Sequence, residues 1–183
     1  MRHGASSGRQ IQPSSVRHLR PSDGALIPPG FDHLAVAACG DVSEFHLVAD
    51  HLTGQIYGLK QLRTEWQDVA SVRRMLSNEA KVGLAVRSQY LVRIVNADVQ
   101  RARPYILFEW LTGSTLEQKL LHEGPLSAGR AVWLARQCAL GMQHLLTVGF
   151  VHGAIEPKNV WICSLKTFES KSPHMLRVIR SGR

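Results

Sequence analysis

The sequence predicts an α+β fold in two layers, in which an antiparallel unit of five strands holds one helix and further helices follow. Short apolar stretches separated by turn residues occupy residues 31–62, and two more follow the helical pattern of residues 65–84. A second, longer helical pattern begins at residue 127. The chain of 183 residues is long enough to bury one sizeable core.

Composition and charge narrow the class of protein. Hydrophobic residues make up 44% of the chain and charged residues 20%, close to the averages of globular domains. Of the formal net charge of +8, residues 1–30 carry +3 and residues 164–183 carry +4, so a basic face for nucleic acid is not expected. No apolar run reaches the roughly 18 residues that span a bilayer. The start of the chain also lacks the apolar core of a secretory signal, and we therefore expect a soluble, cytoplasmic protein without membrane contact.

Residues 1–30 are predicted to form a flexible basic leader. They are rich in Gly, Ser, Pro and Arg, and they end in Ile27-Pro28-Pro29-Gly30, which cannot be regular helix or strand. An organelle transit peptide is the alternative, because such peptides are also rich in Arg and Ser, but no amphipathic helix is visible in this segment.

The first part of the body is predicted to contain three antiparallel strands and a helix. The strands come first, with a hairpin at Thr53-Gly54. Thr64 followed by Gln67 has the pattern of a capping box, which predicts a helix from there to about residue 84. The apolar positions of this helix are Trp66, Val69, Val72, Leu76 and Ala80.

Two more strands and two more helices complete the predicted elements. The strands fit Tyr90–Asn96 and Arg103–Trp110. A short helix begins near Ser114, and Ser127 caps a longer helix that runs to about Val148. One face of the longer helix is apolar, which is typical of a face that packs on a core, and contains Val132, Ala135, Ala139, Met142 and Leu146.

Three features occur in an order that resembles the protein kinase superfamily, most closely its serine/threonine type. Lys60 ends the stretch IYGLK, Glu79 lies 19 residues later on the predicted helix, and residues 152–159 read HGAIEPKN. In that family the strand lysine contacts the α- and β-phosphates of ATP and pairs with the helix glutamate. Without the resemblance, Lys60 is a solvated strand-end charge and Glu79 an exposed helix charge.

The resemblance covers about residues 31–183 and implies a partial kinase domain. Residues 31–111 correspond to the small lobe (the N-lobe) and the hinge, and residues 112–183 to the start of the large lobe (the C-lobe). A full kinase continues with an activation segment and several more helices, so the resemblance implies a C-terminally truncated domain. We expect the apolar face near Leu140, Leu145 and Leu146 to lack part of its cover. Either a protein partner covers it, or the chain is a remnant or a fragment of a longer protein.

The resemblance also places a nucleotide site, with ATP as the implied cofactor. The Gly-rich loop of the family falls on Ala38, Gly40, Ser43 and Phe45, which keep one glycine of three. Gly58 replaces a small alanine and leaves room for an adenine ring. The remaining implied contacts are the gatekeeper Phe108 and the hinge from Glu109 to Leu111.

The catalytic loop departs from the pattern of an active kinase. The family sequence H-R-D-L-K-P-x-N falls on residues 152–159, so Ala154 stands at the general-base position and Glu156 at the position of a phosphate-binding lysine. Asn159 keeps a weak metal contact. Aligning the last residues with the family's Asp-Phe-Gly turn puts Arg180 where the magnesium-binding aspartate belongs, so little or no Mg²⁺ binding is implied. His152 is expected to be structural.

These departures favour a catalytically inactive, pseudokinase-like binding or regulatory module that retains some ATP binding. The alternative is a divergent ATP-dependent serine/threonine kinase that transfers phosphate to a protein hydroxyl, with other groups replacing the lost carboxylates. A third class, a nucleic-acid binder that works through the two basic ends, is the least expected, because these ends lack an aromatic series for stacking bases.

Overall fold

The structure, a computed structural model, describes residues 27–153, 155–164 and 174–178. Most of the predicted basic leader therefore lies outside the described residues, as do Ala154 and Arg180.

Five antiparallel strands form the first sheet, as the sequence predicts. The strands are β1 (Phe31–Cys39), β2 (Ser43–Asp50), β3 (Ile56–Leu62), β4 (Ile94–Asp98) and β5 (Tyr105–Glu109). Their order is β1-β2-β3-β5-β4. β4 begins four residues later than predicted, because the chain from Tyr90 to Arg93 is not a continuous strand and only Leu91 forms an isolated bridge there.

The helix of the small lobe, α1 (Ala70–Ala85), begins about five residues later than the sequence predicts. Thr64 and Trp66 instead bound a 3-10 turn, and no side chain caps either this turn or α1, so the predicted capping box is wrong. The physical reason lies in Trp66, whose indole Nε1 donates to the carbonyl of Asp41 at 3.0 Å and draws this segment onto the loop between β1 and β2.

The second part of the chain carries a smaller sheet and two helices. Its elements are β6 (Gly113–Thr115), α2 (Leu116–Glu123), α3 (Ala128–Leu146), β7 (Val160–Ser164) and β8 (His174–Val178). β7 lies between β6 and β8, and both pairings are antiparallel. A true capping box starts α2, where Thr115 and Gln118 bond each other's backbone N–H groups. Ser127 occupies the N-cap of α3, but its side chain makes no capping bond.

The face of α3 that the sequence predicts to be buried lies instead largely at the surface. Val132 is 69% exposed and Leu146 is 59% exposed, while Leu134, Gly141 and Leu145 on the other side are buried. Apolar side chains of α3 thus lie both in the core and at the surface.

Apolar clusters on both faces of the first sheet stabilise the small lobe. On one face α1 contributes Leu76 and Ala80, which pack with Ile106 and Phe108 of the sheet. The opposite face holds a second cluster around Leu59. No helix within the described ranges is long and apolar enough to cross a membrane.

A third cluster joins the two parts of the chain. Val82 of α1 packs with Leu91 and with Leu145 of α3. The small lobe therefore packs on the long helix of the second part. The segment between β5 and β6 connects the two parts along the chain.

His46, on β2, is buried almost completely. Its Nδ1 lies 3.2 Å from Nε2 of His33, and Glu44 Oε2 lies 3.5 Å from its Nε2. Burial, followed by the neighbouring His33, lowers the pKa of His46. This ring is therefore neutral at pH 7 and belongs to the core of the sheet.

We predict that Gly113→Ala destabilises the fold by about 2–4 kcal/mol. Gly113 has a φ of +140°, and a Cβ there would lie 2.1 Å from the carbonyl oxygen of Ile162 on the neighbouring strand. Urea denaturation measures the effect. The matched control is Gly129→Ala in α3, where the Cβ meets nothing within 4 Å and should add up to about 1 kcal/mol of stability. Equal stability of the two variants would contradict this packing.

Candidate functional site

A buried ion pair links the sheet to α1. Lys60 of β3 donates from Nζ to both carboxylate oxygens of Glu79, at 2.9 and 2.7 Å. The side chains are only 6% and 4% exposed. The structure thus brings together the two residues that the resemblance pairs, and both readings of them as solvated charges are wrong.

An aromatic ring covers the other side of the Lys60 ammonium. Phe45 of β2 is the cross-strand partner of Lys60, and its ring centroid lies 5.5 Å from Lys60 Nζ. The same ring packs against Phe108, with the two ring centroids 6.3 Å apart. The ammonium therefore contacts a carboxylate and an aromatic ring, a setting that suits a cation well but leaves little of it open to a ligand.

The expected adenine position is also lined by an aromatic side chain. Gly58 is paired with Phe108, and a Cβ at Gly58 would lie 3.8 Å from Cε3 of Trp110. The indole therefore borders the room that Gly58 was expected to leave. Sequence reasoning missed Trp110, although the alternation of side chains along β5 and the residue after it places Trp110 on the same side as Phe108.

Part of the expected hinge is already hydrogen-bonded to the neighbouring chain segment at Arg93. The backbone N–H of Glu109 donates to the carbonyl of Arg93 at 3.0 Å, and its carboxylate accepts from the N–H of Arg93 at 2.7 Å. Of the expected hinge segment, Glu109 is thus already engaged, while Leu111 is half-buried at the start of the connection to β6.

The loop between β1 and β2 is tied down. Its carbonyls at Gly40, Asp41 and Val42 accept bonds from the Arg63 side chain, the Trp66 indole and the Arg63 backbone, at 3.4, 3.0 and 3.0 Å. The N–H of Gly40 donates within the loop to Ser43. A phosphate cradle presents free N–H groups to its ligand, and in this loop the N–H of Gly40 is already bonded to Ser43.

The catalytic loop lies between α3 and β7. His152 and Asn159 are buried, which agrees with a structural role for His152. Glu156 is half-buried, and its carboxylate lies 2.7 Å from Nζ of Lys158. The residue at the position of the family's phosphate-binding lysine is thus an acid that pairs with a neighbouring lysine. Ala154 lies outside the described residues.

The described residues fit Mg²⁺ and ATP poorly. Among them no group of three or more His, Cys, Asp or Glu side chains could hold a metal ion. Lys60 has the right charge for a phosphate but is enclosed, and the loop above it is bonded elsewhere. Asn159 is buried, and Arg180, which stands at the aspartate position, lies outside the described residues.

Comparison with known proteins shows the family. The profile of the family described as protein tyrosine and serine/threonine kinase matches residues 32–175. The chain therefore belongs to this kinase family. The serine/threonine-protein kinase AfsK of Streptomyces coelicolor is 28% identical over 147 residues, which are 80% of this chain and 18% of that protein. The serine/threonine-protein kinase sax-1 of Caenorhabditis elegans is 28% identical over 149 residues, 78% of this chain and 30% of that protein.

Solved structures show the same fold. The kinase domain of Mycobacterium tuberculosis PknI superposes with a TM-score of 0.70 and 16% identity, covering 86% of this chain and 61% of that one. Rad53 residues 1–466, solved in complex with AMP-PNP, gives a TM-score of 0.67 at 16% identity, covering 82% and 38%. The chain thus spans a fifth to a third of the two relatives and about three fifths of the PknI kinase domain.

We predict that Lys60→Met lowers the free energy of unfolding by about 3–5 kcal/mol, because it leaves the Glu79 carboxylate buried without its partner. Urea denaturation checks this value. The double variant Lys60→Met/Glu79→Leu should lose less than the sum of the two single changes. The control is Lys81→Met on the exposed side of α1, which should change stability by less than about 0.5 kcal/mol. A loss at Lys60 no larger than at Lys81 would show that the ion pair is not buried in solution.

Proposed function

We propose that this chain is a catalytically inactive, pseudokinase-like module that acts by binding a protein. The observation that carries the proposal is Ala154, which follows His152 and Gly153 where an active kinase has its general base. A methyl group cannot orient a hydroxyl or accept its proton, and loss of a general base costs about 10²–10⁴ in rate. The kinase fold around this position supports the alignment.

Charge around the loop supports the same proposal. Glu156 presents a carboxylate where the family has a lysine, and its repulsion of the γ-phosphate is only partly offset by Lys158. Arg180 places a cation where a cation-binding aspartate is needed. Each of the changes at Ala154, Glu156 and Arg180 alone opposes phosphoryl transfer. They affect the general base, the γ-phosphate contact and the metal site, respectively.

A divergent serine/threonine kinase is the second candidate, and one observation favours it. Lys60 and Glu79 form the ion pair that active members of the family use, and the relatives are named as serine/threonine kinases. The pair is also expected in an inactive protein, however, because a buried lysine needs a partner whether or not phosphate is bound.

The exposed apolar side of α3 supports binding of a protein. Val132, Ala135, Ala139 and Leu146 lie on this side, and the aligned part of the PknI kinase domain leaves about two fifths of that domain unmatched. We infer that apolar helices equivalent to that unmatched part cover this surface. Burial of these side chains would stabilise the contact by roughly 25 cal/mol per Å².

The first test is a phosphoryl-transfer assay with ATP, Mg²⁺ and a general protein substrate. The unmodified chain is expected to transfer no more phosphate than Lys60→Met, because the base and the metal-binding aspartate are both replaced. Ala154→Asp alone should stay inactive, since Glu156 and Arg180 still oppose the reaction. Transfer that requires Mg²⁺ and disappears in Lys60→Met would overturn the proposal in favour of a divergent kinase.

The second test concerns the apolar side of α3. Without its partner, the chain is expected to self-associate in sedimentation velocity, and Val132→Lys/Leu146→Lys should weaken the self-association by about tenfold or more. Ser71→Lys/Asn78→Lys, at two exposed polar positions of α1, adds the same charge away from α3 and serves as the control. If the α3 variant and the control behave alike, this surface is not where the protein binds.

A further inference from the structure

We propose that Phe45 is a plug that closes the nucleotide site of the small lobe. The site then admits a nucleotide phosphate only when the Phe45 ring is moved or shortened. This inference rests on the kinase fold and deepens the proposed function, because it gives a reason for inactivity that is independent of the catalytic loop.

The position of the plug follows from the register of the sheet. Phe45 and Lys60 are directly paired between β2 and β3, so their side chains leave the same face of the sheet. That face also carries Phe108, against which the Phe45 ring packs. The partly buried Phe45 ring therefore lies beside Lys60, the lysine that is paired with Glu79.

The surroundings of the Lys60 ammonium leave little room for a phosphate. Two of its three donors point to the oxygens of Glu79, and the Phe45 ring centroid lies 5.5 Å from Nζ. The side chain is 6% exposed as a result. A phosphate oxygen must come to about 2.7–2.9 Å from Nζ to bond it, and the enclosed ammonium does not offer that approach while the ring is in place.

The loop between β1 and β2 packs beside Phe45 and opposes movement of its ring. Val42 of this loop packs on the same apolar cluster as Phe45, and its carbonyl accepts from the backbone of Arg63. The indole of Trp66 holds the neighbouring carbonyl of Asp41. Displacing the ring therefore requires apolar surface to be exposed and this bonded loop to move, both of which oppose the entry of a nucleotide.

Removal of the ring should expose the ammonium without removing it. Phe45→Val keeps an apolar, β-branched residue that suits a strand but is too short to reach Lys60. The Lys60 ammonium is then a point charge at the bottom of an open cleft, which suits a nucleotide phosphate even without a metal ion.

Equilibrium dialysis with radiolabelled ATP in the absence of Mg²⁺ tests the plug. Phe45→Val is expected to bind ATP at least about tenfold more tightly than the unmodified chain, and Phe45→Val/Lys60→Met should lose the gain. The control is Phe31→Val, which removes the same ring volume from the opposite face, where Phe31 packs on Tyr57, and should bind as the unmodified chain does.

The outcomes separate the plug from the proposed function. Equal ATP affinity of the unmodified chain and Phe45→Val overturns the plug, whether both bind or neither binds, and so does an equal gain in Phe31→Val. If circular dichroism shows that Phe45→Val is unfolded, Phe45→Leu replaces it under the same criterion. ATP binding by the unmodified chain without phosphoryl transfer would refute the plug alone, whereas transfer would refute the inactive module.

Discussion

The buried ion pair between Lys60 and Glu79 is the constraint on which the rest of the small lobe depends. Removing two charges from water costs several kcal/mol for each ion, and only close contact between them in a fixed geometry compensates for that cost. The pair therefore fixes α1 against β3 at one distance and one rotation. The cluster of Leu76, Ala80 and Phe108 forms around that arrangement, and the junction of α1 with α3 follows from it.

The same pair would hold a kinase fold together in the inactive module that we propose. A buried lysine and glutamate are needed for packing even when no phosphate is bound, so selection for a stable fold is enough to retain them. Glu156 lies in the loop between α3 and β7, away from the apolar clusters of the small lobe, and Ala154 precedes it by two positions in the sequence. The ring of Phe45 also stabilises the Lys60 ammonium, and in the plug that we propose it excludes a nucleotide phosphate.

Sequence patterns predicted those parts of the fold that depend on local chemistry. The alternating strands and the hairpin at Thr53-Gly54 were found because turn residues and strand periodicity are local signals, and the family resemblance supplied the pairing of Lys60 with Glu79. The start of α1 was placed wrongly because a tertiary bond from Trp66 overrides the capping pattern. The side of α3 that meets the core was predicted wrongly, because periodicity does not say which of two apolar faces is the buried one. The position of Phe45 was known from the alignment, but the contact of its ring with Lys60 depends on the register between two strands.

Thermal unfolding with ATP, in the presence and absence of Mg²⁺, tests most directly the central claim that the metal-assisted nucleotide chemistry of the family is lost. A ligand at about 100 times its dissociation constant adds about 2.7 kcal/mol of stability, which raises Tm by roughly 5–10 °C in a chain of this size. We predict the same Tm for the chain alone, with ATP, and with ATP and Mg²⁺. An upward shift of that size that requires ATP and Mg²⁺ together would contradict the account.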